Sequence, residues 1–455
     1  MAGSLSNIGL GSSGALSYDI IDKLRKVDED AQIAPIDKKL QTNSTKSKDL
    51  SVLTTLTASL KGATSSLADE SAYLQRSATS SGSAVSVEAS AGSSIQDFTL
   101  DVIKLAKQDI YESNSFLDTT STFTTTNDTI NINIDGQDYA IDVTSSTTLE
   151  ELKNSINDAT DGKVVASLLN VGGTNPYKLV LKSTDTGADQ AITVTSTGGG
   201  TAVADLGLTN IQAASDAEFT YNGVTITRPK NNFSDLIVGI DITLNEVGLS
   251  NVSIKQDTSD IVSSLEDFVT KYNDLMSNLN ESTNYDVETK ASGTFQGDSQ
   301  IVRMKSDINR QLLSVDSQGR TLEEFGITLN ENGMLEFKKD VFDAKMSENP
   351  DNVKDFFVGS VNYDTNEETK GIFTSFNDLL DNLVIGQDSM LGIYENNLNN
   401  ENKALTKERE KAVASLDAKY NTMAERFMAY DAIIGKLNAQ FQSLSMMIES
   451  SLNSK

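Results

Sequence analysis

The chain has 455 residues, 38% of them hydrophobic, which is enough to fill the cores of about three ordinary domains. Its 65 acidic residues outnumber its 37 basic ones, and the formal net charge of −28 disfavours nucleic acid and anionic membranes as partners. The absence of His and Cys excludes imidazole bases, thiolate nucleophiles, the usual zinc ligands and disulfide bonds.

The N-terminus lacks the basic start and the apolar block of a cleavable signal peptide. Nowhere in the sequence do about 18 apolar residues run together, so no membrane span is predicted. We therefore expect a soluble protein. Export remains compatible with this sequence, because some export routes read an uncleaved N-terminus.

Two helices are predicted near the N-terminus. Pro35 suits the first turn of the second helix, which is predicted to continue to about Leu74. The apolar positions of the first helix are spaced by four and three residues: Ile20, Leu24, Val27 and Ala31. Those of the second form a similar stripe: Leu53, Leu56, Leu60, Ala63, Leu67 and Leu74. Each helix therefore has one apolar face.

The middle of the chain is predicted to be rich in strands. From Ser77 to about Asp257, Ser, Thr, Gly and β-branched residues alternate. Asx-Gly pairs at 135–136 and 222–223 predict tight hairpins. One helix is predicted to start at Thr148, where Glu151 completes a capping box. The glycine-rich run 195–201 is predicted to be a flexible loop.

Helical periodicity returns at Ser259, and a further hairpin is predicted at residues 332–333. From about Ser389 the pattern predicts one very long helix with a heptad repeat. Its a positions are Val413, Tyr420, Phe427, Ile434, Phe441 and Ile448. Its d positions are Leu416, Met423, Tyr430, Leu437, Leu444 and Ser451. Because only Ser451 is neither apolar nor aromatic, these positions predict a coiled-coil seam.

We call the apolar a and d positions from Val413 to Ile448 the C-terminal seam, and the apolar positions from Ile20 to Ala31, led by Ile20, Leu24 and Val27, the N-terminal stripe. Burying one such side chain is worth about 1.5 to 3 kcal/mol, so the C-terminal seam needs a partner. The N-terminal stripe is the obvious partner within the chain. It is only about three helical turns long, so we expect the rest of the seam to face other subunits. Both sets of residues are therefore candidate assembly residues.

Three local patterns suggest chemistry but are better explained as structure. Residues 9–14 match G-x-G-x-x-G, yet no strand can precede them as a dinucleotide fold requires. Residues 131–136 have the oxygen spacing of a calcium loop, but alternating apolar residues favour a hairpin. Acidic pairs such as Asp28 with Glu29 are explained by solvated helix faces. We therefore predict a protein that is not an enzyme and needs no metal or cofactor.

Several segments resemble the flagellar filament cap proteins, the hook-associated protein 2 or FliD family. The similar segments are 5–12, 19–24, 66–69, 219–244, 272–275, 297–313 and 437–440. Their order covers essentially the whole chain and is more specific than any single motif. One departure is visible, because the family's glycine turn commonly reads G-x-G-S-G-L-D, whereas residues 11–17 here are longer by one residue and end on Ser17.

The resemblance implies an α+β multidomain fold in four parts. These are a terminal coiled-coil stem (1–45 and 400–455), a mainly helical leg domain (46–76 and 258–399), a β-rich head domain (77–113 and 214–257) and a β-rich outer domain inserted in the head (114–213). The same resemblance implies export through the flagellar type III channel and a position at the distal tip of the filament. There a ring of about five subunits would retain exported flagellin and promote its folding and insertion.

Flagellin, the hook–filament junction proteins and a cytoplasmic export chaperone are the further partners that the resemblance implies. Two other classes of protein remain open from the residues alone. Another axial protein, either flagellin or a junction protein, would share the helical termini but form long polymers or junctions. A secreted adhesin would account for the region rich in Ser and Thr, and adhesion could coexist with capping.

Overall fold

The computed structural model describes residues 18–288, 290–362 and 367–452. Long helices dominate the two ends of the described chain and antiparallel sheets dominate its middle, so the expected α+β class is confirmed. The glycine-rich segment 9–14 and the family-like residues 5–12 lie outside the described residues.

Ten α-helices are present in the described residues. They are α1 (Tyr18–Gln32), α2 (Ala34–Leu67), α3 (Leu149–Ala159), α4 (Ala202–Leu206), α5 (Ser259–Thr283), α6 (Ser299–Leu312), α7 (Lys339–Glu348), α8 (Pro350–Phe357), α9 (Ile372–Val384) and α10 (Met390–Leu452). Short 3₁₀ helices occupy Glu70–Leu74, Ala188–Gln190 and Leu322–Phe325.

The strands of the first half of the chain are β1 (Arg76–Ser80), β2 (Val85–Ala89), β3 (Gln96–Lys104), β4 (Ile110–Glu112), β5 (Asp128–Ile134), β6 (Gln137–Val143), β7 (Val164–Asn170), β8 (Tyr177–Ser183), β9 (Thr193–Ser196), β10 (Thr209–Gln212) and β11 (Ala217–Tyr221). The later strands are β12 (Val224–Arg228), β13 (Asn232–Ile237), β14 (Ile240–Leu244), β15 (Gly248–Gln256), β16 (Tyr285–Asp286), β17 (Ala291–Ser292), β18 (Ile327–Leu329), β19 (Leu335–Phe337), β20 (Gly359–Asn362) and β21 (Glu367–Lys370).

The described residues fall into two compact units, which are interleaved in sequence. The helical unit comprises the described residues up to Asp69, Val262–Phe342 and the described residues from Asp351 onward. In its core, Phe268 of α5 meets Phe373 and Phe376 of α9 edge to face, with ring centroids 5.0 and 5.9 Å apart. These apolar helix faces bury one another, as the predicted stripes require.

The predicted helix ending near Leu74 is shorter in the structure. α2 ends at Leu67, where the backbone N–H of Ala68 donates to Thr64 O, and a 3₁₀ helix follows at Glu70–Leu74. The apolar stripe is interrupted at Glu70 and Ser71, so continuing the α-helix would not bury a face there. The tighter 3₁₀ winding instead buries Tyr73.

The β unit, Glu70–Ile261 with Asp343–Pro350, contains two separate β cores. In the head domain, one antiparallel sheet of order β1-β15-β3-β11-β12 and another of order β13-β14-β2 enclose one core. In the outer domain, sheets of order β10-β4-β8-β7 and β6-β5-β9 enclose a second core together with α3 and α4. β4 precedes the boundary expected at residue 114, yet it pairs within the sheet of the outer domain.

The predicted turn chemistry is found in the structure. Asp135 and Gly136 join β5 to β6, and Asn222 and Gly223 join β11 to β12, all with the positive φ angles of a type I′ turn. Residues 332–333 lie in the turn between β18 and β19. The capping box at the start of α3 is complete, because the Thr148 hydroxyl accepts from the backbone N–H at position 151 and the carboxylate there accepts in return.

The loop predicted to be flexible at 195–201 is anchored. Its first two residues belong to β9, and the Asp128 carboxylate holds the residues after that strand. Asp128 Oδ1 accepts from the backbone N–H groups of Thr129 (2.8 Å) and Gly198 (3.1 Å). Its Oδ2 accepts from the Ser196 hydroxyl and from the backbone N–H of Ala202 (3.1 Å). The glycines therefore serve close packing around a carboxylate, and the structure shows an anchored segment where the sequence predicted a flexible loop.

Candidate assembly surface

The N-terminal helices pair in an antiparallel direction with the middle part of α10. Near the start of α2, the Asp37 carboxylate accepts from Arg409 Nε of α10 at 2.6 Å. On α1, Asp28 Oδ2 accepts from Lys419 Nζ at 2.6 Å and from the Tyr420 hydroxyl at 2.8 Å. As the residue number falls along the N-terminal helices it rises along α10, which defines the antiparallel direction.

A small apolar core lies in this contact. Ile21 and Ile33 of the N-terminal segment are buried together with Leu416 and Tyr420 of α10. Partly buried apolar residues surround them: Ala412, Val413, Met423, Ala424 and Phe427. The first five residues of the C-terminal seam, from Val413 to Phe427, therefore pack in this contact within the chain.

The expected partner of the seam is not the one that the structure uses. Ile20, Leu24 and Val27 are 40%, 46% and 64% exposed, so the N-terminal stripe does not form the contact within the chain. The face that does so begins at Ile21 and continues at positions 25 and 28, four and seven residues later. Polar partners on α10 select this face, and the three exposed residues remain a predicted surface for contacts between subunits.

Charged groups complete the selected face of α1. Arg25 bridges Glu29 on its own helix, at 2.8 Å, and Asp417 on α10. Hydrogen bonds from Lys419 and then Tyr420 lower the pKa of the Asp28 carboxyl below its ordinary value of 3.8. Because this pKa is lowered, the stability that Asp28 gives to the pairing of α1 with α10 is fully present above pH 3.8. It is lost as the pH falls through the lowered pKa.

The distal half of the C-terminal seam has no covering residues among those described. Its members are between 40% and 76% exposed: Tyr430, Ile434, Leu437, Phe441, Leu444 and Ile448. At 1.5 Å per residue these positions extend over about 27 Å of helix. We call them the open seam.

The exposed apolar surface is wider than the heptad pattern predicted. Ile433 and Met447 occupy g positions beside the open seam, Met446 occupies an f position, and all three are more than half exposed. Sequence reasoning missed them because it followed only the a and d positions. Apolar residues at g positions were the signal that could have revealed the wider face.

No helix among the described residues is long and apolar enough to cross a membrane. Over the same residues, no group of three or more acidic side chains is arranged to hold a metal ion. The distinguishing feature is instead a helical pair of chain ends that leaves a wide apolar helix face uncovered. Large exposed apolar patches mark interaction surfaces, so the fold and this surface are those expected of a subunit of a larger assembly.

Comparison with known proteins identifies the family. The family model described as flagellar hook-associated protein 2 N-terminus matches residues 13–109, and the one described as flagellar hook-associated protein 2 C-terminus matches residues 214–439. The chain belongs to the flagellar hook-associated protein 2 family. The resemblance expected from the sequence is thereby confirmed, while the outer domain falls between the two matched regions.

Relatives extend the match along the whole chain. A flagellar hook-associated protein 2 of Escherichia coli is 27% identical over 480 residues, covering 99% of this chain and 100% of that protein. Its counterpart in Helicobacter pylori is 27% identical over an alignment of 676 residues that covers 98% of both, so that relative contains insertions which this chain lacks. A Campylobacter jejuni relative is 33% identical over 80% of this chain and 65% of its own length.

A solved structure shares the fold. The crystal structure of three domains of the flagellar cap protein FliD from Escherichia coli covers 77% of this chain and 99% of that chain. The two have 25% sequence identity and a TM-score of 0.54.

Proposed function

We propose that this chain is the subunit of a filament cap, which acts without catalysis at the distal tip of the bacterial flagellum. The observation that carries this function is the match of both the N-terminal and the C-terminal family models, in order, on one chain. Capping and a position at the filament tip are the function and location of this family. The alternatives of flagellin, a junction protein or an adhesin are not favoured by these matches.

The mechanism that we propose is steric. Copies of the chain form a closed ring of about five subunits, which retains exported flagellin and gives it an enclosed space in which to fold and insert. The open seam and the N-terminal stripe would supply apolar contacts between neighbouring subunits or with the filament. Each open-seam side chain that became fully buried would stabilise the assembly by about 1.5 to 3 kcal/mol.

The same apolar surface needs a covering partner before the subunits assemble. An exposed helix face of this width would promote premature association in the cytoplasm. We propose that an export chaperone covers the open seam until the chain enters the type III export channel. At the tip, the hook–filament junction proteins and later flagellin would be the neighbours of the cap.

Deleting the gene and comparing flagellin in the culture medium with filaments on the cells tests the capping function. We expect abundant monomeric flagellin in the medium and no filaments, because exported subunits would diffuse away. Restoring the intact gene should restore the filaments. Normal filaments without the gene would refute capping, and absence of flagellin from both fractions would point instead to a role in export.

A further inference from the structure

The outer domain is joined to the head domain by two strands of chain that run side by side. Lys107 leads out of the head and Ser215 leads back, and their backbones pair through N–H to O bonds of 2.8 and 3.2 Å. The two domains have separate hydrophobic cores. Two adjacent connections alone would form a hinge about which the outer domain could swing.

A loop of the outer domain adds a further attachment. We call the loop 184–190, between β8 and β9, the latch loop. Its Thr186 hydroxyl donates to Pro229 O of the head at 2.7 Å, and its Gly187 N–H donates to Lys107 O at 3.2 Å. The next N–H, of Ala188, donates to an Asp216 carboxylate oxygen at 2.7 Å. The loop therefore contacts both connections and the head domain itself.

Gly187 allows the latch loop to approach this closely. Its φ of +118° lies in a region that other residues rarely adopt. A Cβ at this position would lie 2.8 Å from Pro229 Cβ and 3.0 Å from Pro229 O. Any larger residue would therefore have to push the loop away from the head.

A buried carboxylate also holds the two connections next to the residues that follow the latch loop. Asp109 on the outgoing connection is 2% exposed. It accepts from the backbone N–H of Ile192 at 2.6 Å, the side-chain amide of Asn210 at 2.7 Å and the backbone N–H of Ala214 at 3.1 Å. One side chain thus ties the residues just after the latch loop, β10 and the returning connection to the outgoing connection.

We propose that the latch loop locks the outer domain to the head domain, so that the two β domains move as one rigid body. The close contact of Gly187 with Pro229 sets the angle between them. The lock rests only on contacts within the β unit, so its test is independent of the proposed capping function.

The absence of Cys from the sequence makes the lock directly measurable. One exposed position on each domain can be changed to cysteine, by Glu88→Cys in the head and Asp158→Cys in the outer domain. A spin label is then attached to each cysteine. Pulsed electron paramagnetic resonance on the full chain, diluted with unlabelled protein, then gives the distribution of distances between them. We expect one narrow distribution in this labelled parent.

Gly187→Ala should broaden that distribution at least twofold or shift its mean by several ångströms. Gly172→Ala is the matched control, because Gly172 also has a positive φ in the outer domain but has no atom near an added Cβ. The control should keep the narrow distribution. A broad distribution in the parent, or an unchanged one in Gly187→Ala, would overturn the proposal.

A second variant keeps the test decisive if Gly187→Ala does not fold, which circular dichroism would reveal. The double variant Thr186→Val with Asp216→Ala removes two of the latch hydrogen bonds without placing an atom against Pro229. We expect a broadened distribution in this variant as well. A narrow distribution there would contradict the lock.

Discussion

At the scale of single residues, Asp128 shows how one carboxylate can replace a strand pairing. Three of its four hydrogen bonds, from Ser196, Gly198 and Ala202, hold the glycine-rich segment against β5, and the fourth comes from Thr129 of β5 itself. A Cβ on Gly198 would come within 2.5 Å of the backbone N of Thr129, and one on Gly200 within 2.7 Å of Asn127 O. The small residues are therefore required by the closeness of two backbone segments.

Asp128→Asn should weaken the outer domain at neutral pH, because an amide offers one acceptor oxygen in place of two. Donation first by the Ser196 hydroxyl, and also by backbone N–H groups, lowers the pKa of the Asp128 carboxyl below 3.8. The stability that this carboxyl contributes is therefore present above pH 3.8 and is lost as the pH falls through the lowered pKa. Denaturant midpoints measured from pH 7 to pH 2 should show the variant and the wild type converging in acid.

The exposed Asp158→Asn on α3 is the control for this measurement, since it removes one carboxylate without touching the loop. Its midpoint at neutral pH should match that of the wild type. Equal midpoints for Asp128→Asn and wild type at neutral pH would mean that the loop does not depend on the carboxylate.

At the scale of elements, α3 closes the free edge of a sheet. β7 is the last strand of its sheet and would otherwise present unpaired backbone groups. The Asn157 side chain donates to Ala166 O at 3.0 Å and accepts from Ala166 N–H at 2.8 Å. The Thr160 hydroxyl donates to Val164 O at 3.0 Å. Side chains of one helix thus take the place of a missing strand.

Asn157→Ala should destabilise the outer domain by about 1 to 3 kcal/mol, because both backbone groups of Ala166 lose their partner. Denaturant unfolding would measure the loss, and amide hydrogen exchange should accelerate at β7. Asn154→Ala on the exposed face of α3 should change neither property. Comparable exchange at β7 in the two variants would show that Asn157 does not protect the edge.

Also at this scale, Phe427→Asp tests the pairing of α1 with α10. A carboxylate at this partly buried position beside the small apolar core would remove about 1 to 3 kcal/mol of apolar stabilisation and leave the β unit folded. Hydrogen exchange should accelerate across Tyr18–Gln32, and cells carrying the variant should release more flagellin into the medium. Ala429→Asp places the same charge on an exposed position of α10 and is the control. Normal capping by Phe427→Asp would contradict a role for the seam.

The sequence predicted the elements of this molecule better than their contacts. Local signals suffice for the hairpin at 135–136, the capping box at Thr148 and the start of α10, because neighbouring residues determine them. Periodicity alone did not predict that Ile21 faces α10, since the choice depends on charged partners almost 400 residues away. For the same reason, Asp128 and Gly187 could not be recognised before the segments they hold were seen together.

At the scale of the whole molecule, the domains are nested in the sequence. The outer domain lies within the head domain, the β unit lies within the segments of the helical unit, and α1 and α10 lie at the two ends of the described chain. The contacts that complete the head domain therefore join residues farther apart along the chain than those that complete the outer domain. The contacts between α1 and α10 join residues that are farther apart still.

We expect this nesting to set an order of folding for the chain. The entropic cost of closing a loop grows with its length, so contacts between distant residues form last unless intervening domains have already shortened the loop. Asp28 and Lys419 are 391 residues apart, and only folding of the chain between them brings them close. We therefore expect α1 and α10 to pair last, after the domains between them have folded. A subunit could then offer a formed stem to its neighbours only once its inner domains are folded.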